Sequence, residues 1–163
     1  MRTQPSDRQR VFLTFAAGDL ARARPVTARL RADGALLLDH GLSSEPFASE
    51  RGEFVRASFM ARLRRCTGAL CLYGARTLDD AWARWALETA ADLQLPLLGV
   101  PLPGELARES ERFLTDLGAE LVPLSCATIA DRARAVAGDR RRLVPIDAAS
   151  LAETLYLMRH PLR

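Results

Sequence analysis

The side chains able to do chemistry in this chain are carboxylates, arginines and tryptophans. Lysine is absent: all 23 basic residues are arginine, so Schiff-base chemistry and a P-loop lysine are both excluded, and no GxxxxGK[ST] segment occurs. Histidine occurs only at 40 and 160, and no Ser-His-Asp or Cys-His set is suggested by spacing. Cys66, Cys71 and Cys126 lack CxxC spacing, which predicts reduced thiols of a cytoplasmic protein and no metal site. Among the acids, Asp39 ends an apolar run, where a carboxylate can hold a ribose hydroxyl or cap the next turn. Glu45 lies in the Ser- and Gly-rich stretch from Gly41 to Gly52, the setting of a solvated acid. Glu88 follows Asp80 and Arg84 at i, i+4, i+8, which reads first as a solvated ion-pair face. Trp82 and Trp85, three apart, fit either packing anchors or the wall of a nucleotide pocket. Arg76 stands in a loop where it can offer bidentate phosphate contacts.

The elements that must position these residues follow from hydrophobic periodicity. With 163 residues, 48% of them hydrophobic and 26% charged, the chain has the length and composition of one globular domain. The polar start, Met1 to Arg10, argues against a signal peptide, and no apolar run is long enough for a transmembrane helix. The arginines are dispersed apart from Arg62, Arg64, Arg65 and the run Arg140 to Arg142, which favours solvated helix faces over a nucleic-acid site.

Short apolar runs at Val11–Phe15, Ala35–Leu38, Ala69–Tyr73 and Leu97–Pro101 alternate with helical patterns at Leu20–Ala32, Glu53–Arg65, Ala81–Leu93 and Glu105–Leu117. Asp19 is placed to cap the first helix, and Asp79 or Asp80 the third. Pro25 demands either a late start or a kink in the first helix. Ala119–Val122 is a candidate fifth strand, and Thr128–Ala137 and Ser150–Met158 are further helices. Alternation of this kind predicts an α/β fold, a flavodoxin-like doubly wound parallel sheet of about five strands. Ligands then bind beyond the carboxyl ends of the strands, at the loops after Phe15, Asp39, Tyr73 and Pro101.

Four segments stand out in order: Val11 to Phe15 followed by Asp19, Leu37 to Phe47 (LLDHGLSSEPF), the Arg-rich helix Glu53 to Arg65, and Cys71 to Ala90 (CLYGARTLDDAWARWALETA). Together they resemble the TIR-like family, specifically the Thoeris-type branch of bacterial antiphage defence. The resemblance covers about residues 10–101 of a single domain over 1–163, with the C-terminal third unassigned. It implies NAD+ or a related nucleotide as substrate, with no resident cofactor. It further implies an NAD+ glycohydrolase or ADP-ribosyl cyclase type of activity, and a messenger passed to a separate effector protein. Assembly into homo-oligomers follows by the same analogy, whereas nucleic acid and membrane are not implied as partners. Phe15, Asp19, Asp39, Glu45, Arg76, Trp82 and Trp85 are the implied substrate-binding residues. The family's carboxylate sits in a W-x-x-W-E arrangement, and that position here is Ala86. The nearest acid, Glu88, is rotated by about 200° from it on a helix, so catalysis by Glu88 needs a shifted register. Without it the chain is a non-catalytic nucleotide-binding or assembly module.

Overall fold

The computed structural model describes residues 10–32, 46–104, 106–124, 129 and 132, and the backbone of 37–39. In chain order the elements are β1 (Val11–Thr14), α1 (Leu20–Ala32), β2 (Leu37–Asp39), α2 (Glu50–Arg64), β3 (Gly68–Tyr73), α3 (Ala81–Asp92), β4 (Leu97–Pro101), α4 (Arg108–Asp116) and β5 (Glu120–Leu121). The strands form one sheet in the order β2-β1-β3-β4-β5, every pair parallel. This is the flavodoxin-like strand order.

The strands are apolar throughout because both faces of the sheet are covered, and successive residues feed opposite layers. Val11, Leu13, Leu70, Leu72, Leu98 and Val100 pack with Ala23 and Leu30 of α1. On the other face, Phe12, Ala69 and Leu97 pack with Leu63 of α2 and with Ala86 and Ala90 of α3. Cys71 and Tyr73 extend that layer to Leu87 of α3 and Leu114 of α4. β3 lies between β1 and β4 with all six residues buried. The sheet is therefore doubly wound, as the alternation predicts.

Several boundaries differ from the sequence expectation. α2 begins at Glu50, about one turn before Glu53, because the Ser49 hydroxyl accepts the Gly52 N–H at 3.0 Å and caps it. Within the helical pattern read at Glu53–Arg65, Phe54 is 37% exposed, while Phe59 and Leu63 carry the burial. α4 starts at Arg108 rather than Glu105. α1 runs from Leu20 to Ala32 with Pro25 inside it, so the late start does not occur. Pro25, which removes one helical hydrogen bond, is exposed, as is Ala21 one turn before it. Cys126, His40, His160 and the expected helix Ser150–Met158 lie outside the described residues.

Candidate functional site at the switch point

β1 and β3 are neighbours whose following helices leave to opposite faces, which makes their carboxyl ends the topological switch point. After β1 the chain makes one 3-10 turn, Ala17–Asp19, before α1. Asp19 is 1% exposed. Its Oδ1 pairs with the Arg22 guanidinium one helical turn on, and its Oδ2 has no hydrogen-bond partner. The carboxylate thus serves an ion pair rather than the helix cap expected of it.

Arg22 also donates from Nη1 to the Pro103 carbonyl at 3.2 Å, reaching from the first connection to the loop after β4. Two glycines leave it room: a Cβ on Gly74 would lie 3.2 Å from Arg22 Nη2 and 3.0 Å from Asp19 Oδ2, and one on Gly104 3.1 Å from Arg22 Nη1. Gly104 has φ +125°, which disfavours any other residue there. The Gly-x-x-Thr loop after β3 is locked: the Gly74 N–H donates to Thr77 Oγ1 at 2.9 Å, and the Ser110 hydroxyl donates to the Gly74 carbonyl at 2.8 Å. Arg76 is exposed and lies against Gly18, where a Cβ would come within 2.9 Å of its Nη1. Asp80 caps α3 by accepting the Trp82 and Ala83 N–H groups and also accepts the Ala17 N–H. It is therefore a cap and a cross-link, not the first member of an ion-pair ladder.

The structure brings together Asp19 and Arg76 and adds Arg22, Gly74, Thr77 and Asp80. Phe15 is half-buried against the α1-side apolar layer. Asp39 is the last residue of β2, in register with Leu13. Glu45 lies outside the described residues. Trp82 and Trp85 belong to an aromatic cluster between α2 and α3: Trp82 stands 5.0 Å from Phe47 and 5.6 Å from Phe59, edge to face, and Phe12 joins through Phe59 at 6.4 Å. Arg56 stacks over Phe47 at 4.5 Å and donates to its carbonyl. Both tryptophans therefore act as packing anchors, each still half-exposed.

Ala86 is 2% exposed in the layer formed with Phe12, Leu63, Ala69 and Leu97. Glu88 is paired with Arg84 at 3.1 Å, with 45% of its side chain exposed. It sits seven residues beyond the start of α3, about 10 Å along the axis from the crevice end. Glu88 thus occupies the solvated face that its i, i+4 spacing indicates.

Arg22 could have been found from its i, i+3 spacing to Asp19, whereas Thr14 and Ser110 gave no signal. Thr14 is buried, and its Oγ1 also lacks a partner. Burial pushes the Cys71 thiol, in register with Thr14, upward, and the Asp19 charge adds to that shift. Among the described residues no group of three or more His, Cys, Asp or Glu could hold a metal ion, and no helix is long and apolar enough to cross a membrane. Comparison of the chain with protein-family models gives no match, and comparison with curated proteins gives none.

Proposed function

We propose that the chain is a TIR-like domain of antiphage immunity that binds NAD+ or a related nucleotide at the switch-point crevice as a non-catalytic binding or assembly module. The ordered resemblance of four segments, from Val11 to Ala90, supports the family. The surroundings of positions 86 and 88 carry the non-catalytic reading. Where the family places its carboxylate this chain has Ala86, sealed between α3 and the sheet, and the adjacent acid is held outward by Arg84. Stabilising oxocarbenium character at a nicotinamide bond needs a carboxylate beside the reacting carbon. Further copies of the chain or a separate effector are the partners this reading implies. Titration calorimetry of the full chain with NAD+, alongside an assay for released nicotinamide, tests it. Saturable binding with release at background is expected, and rapid release overturns it.

A second reading, conversion of NAD+ into an ADP-ribose-type signalling nucleotide, is favoured by one observation. Asp19 supplies a buried carboxylate with a free oxygen in the crevice itself. In that case release is substantial and Asp19→Asn lowers it about 10²–10³-fold, the usual loss of one electrostatic stabiliser, while Glu88→Gln leaves it unchanged.

A further inference from the structure

A charged oxygen buried without a partner is costly, and proteins keep one where something else completes it. Asp19 Oδ2 is in that condition, and so is Thr14 Oγ1 at the end of β1. Both lie at or just beyond the carboxyl end of β1. Thr14 is in register with Cys71 of β3, whose thiol feels the Asp19 charge, and Gly74, three residues further on, leaves its Cα face against Asp19 Oδ2. A side chain at 74 would stop 3.0 Å from that oxygen. Glycine is what lets the backbone pack this close to the carboxylate.

The charge balance selects the missing partner. Asp19 and Arg22 together are neutral, so Oδ2 does not call for a second cation, and it repels an anion. What remains is a neutral O–H or N–H donor. We propose that Asp19 Oδ2 anchors such a donor of a bound ligand, a ribose hydroxyl or a carboxamide N–H. The proposal rests on the nucleotide reading of the crevice and names the atom that reads it. Because Oδ2 is buried, entry of a ligand group moves the Arg22 guanidinium, which is one-third exposed and crosses from Asp19 to Pro103. Arg22 is then the gate over the anchor.

The test is calorimetry on the full chain with NAD+, adenosine and nicotinamide, comparing the wild type with Asp19→Asn. Arg22 is exposed enough to stay hydrated in that variant. The expected result is an affinity for NAD+ at least tenfold lower in Asp19→Asn. A matching loss for adenosine assigns the donor to ribose, and one for nicotinamide to the carboxamide. Unchanged NAD+ affinity in Asp19→Asn overturns the anchor and leaves the nucleotide reading standing. No binding of any of the three by the wild type overturns both. Should the variant not fold, the carboxyl carbon resonance of Asp19 in the wild type replaces it. That resonance moves on saturation with NAD+ if the anchor is right, and a resonance that stays in place at saturation overturns it.

Discussion

Asp80 Oδ2 accepts the Ala17 N–H at 2.7 Å while its Oδ1 accepts the N–H groups of Trp82 and Ala83 at 2.9 and 3.0 Å. One carboxylate therefore starts α3 and ties it to the turn after β1, across 63 residues of sequence. The two walls of the crevice are held at a fixed separation by the residue that caps one of them. Truncation at this position acts on the fold and on the site together. Asp80→Ala is expected to cost ~1–2 kcal/mol in urea unfolding, the range of a lost cap. It should also weaken NAD+ binding, because the Ala16 to Asp19 segment loses its tether. Asp80→Asn, which keeps one acceptor, should fall between the two.

Gly52 lies inside α2, where alanine ordinarily gains ~1 kcal/mol over glycine. Here the sign reverses. A Cβ at 52 would come within 2.6 Å of the Pro46 carbonyl and closer still to that of Phe47, both backbone atoms that cannot turn aside. Gly52→Ala is expected to destabilise the chain by ~1–3 kcal/mol, the range of an overpacked site. It should also displace Phe47 from Trp82, read as a change in tryptophan fluorescence. A more stable Gly52→Ala protein would show that the Pro46–Phe47 approach does not constrain the helix.

The layer order was legible because both faces of this sheet are buried: LCLY and LLGV are apolar at every position, which only a covered parallel strand requires. Helix ends were less so. The start of α2 was missed at Ser49, because Gly52 in its first turn reads as a loop residue and its role as the contact point for Pro46 and Phe47 exists only in three dimensions. The site was partly legible for the same reason. Asp19 and Arg76 follow strands and were found by position. The i, i+3 pair of Arg22 with Asp19 is local, but the reach of Arg22 to Pro103 and its fit against Gly74 depend on the close approach of three connections that are distant in sequence. Glu88 was readable outright, because an i, i+4 pair with Arg84 is local to one helix.

The buried thiols set an alkaline limit. Burial pushes Cys66 from its ordinary 9.0 up to about 12, against the opposing charges of Arg10 and Arg65, and pushes Cys71 upward as well. The unfolded chain releases these protons above about pH 9 while the folded chain keeps them. The stability associated with them is therefore fully present below pH 9 and is lost as pH rises from there toward 12. Urea midpoints measured from pH 8 to 11 should decline across that window. In the native state at pH 8 both thiols should react with a disulfide reagent on the order of a hundredfold or more slower than in urea, since labelling must wait for opening. Rapid labelling of a native Cys126→Ser chain would place Cys66 or Cys71 outside the core.

Positions 86 and 88 provide the sharpest contrast. A carboxylate at 86 enters the apolar layer of Phe12, Leu63, Ala69 and Leu97. Burying an unpaired carboxyl there, with a side chain larger than the alanine it replaces, is expected to cost ~3 kcal/mol or more in Ala86→Glu. The loss appears as a lower urea midpoint with nicotinamide release still at background. Glu88→Gln removes only a half-exposed partner of Arg84, and such pairs contribute ~0.2–0.5 kcal/mol. Its midpoint should stay within error of the wild type, and so should its NAD+ affinity. If Ala86→Glu instead folds normally and releases nicotinamide, the position is open to the crevice, and the alanine alone is what holds this chain back from the chemistry its sequence resembles.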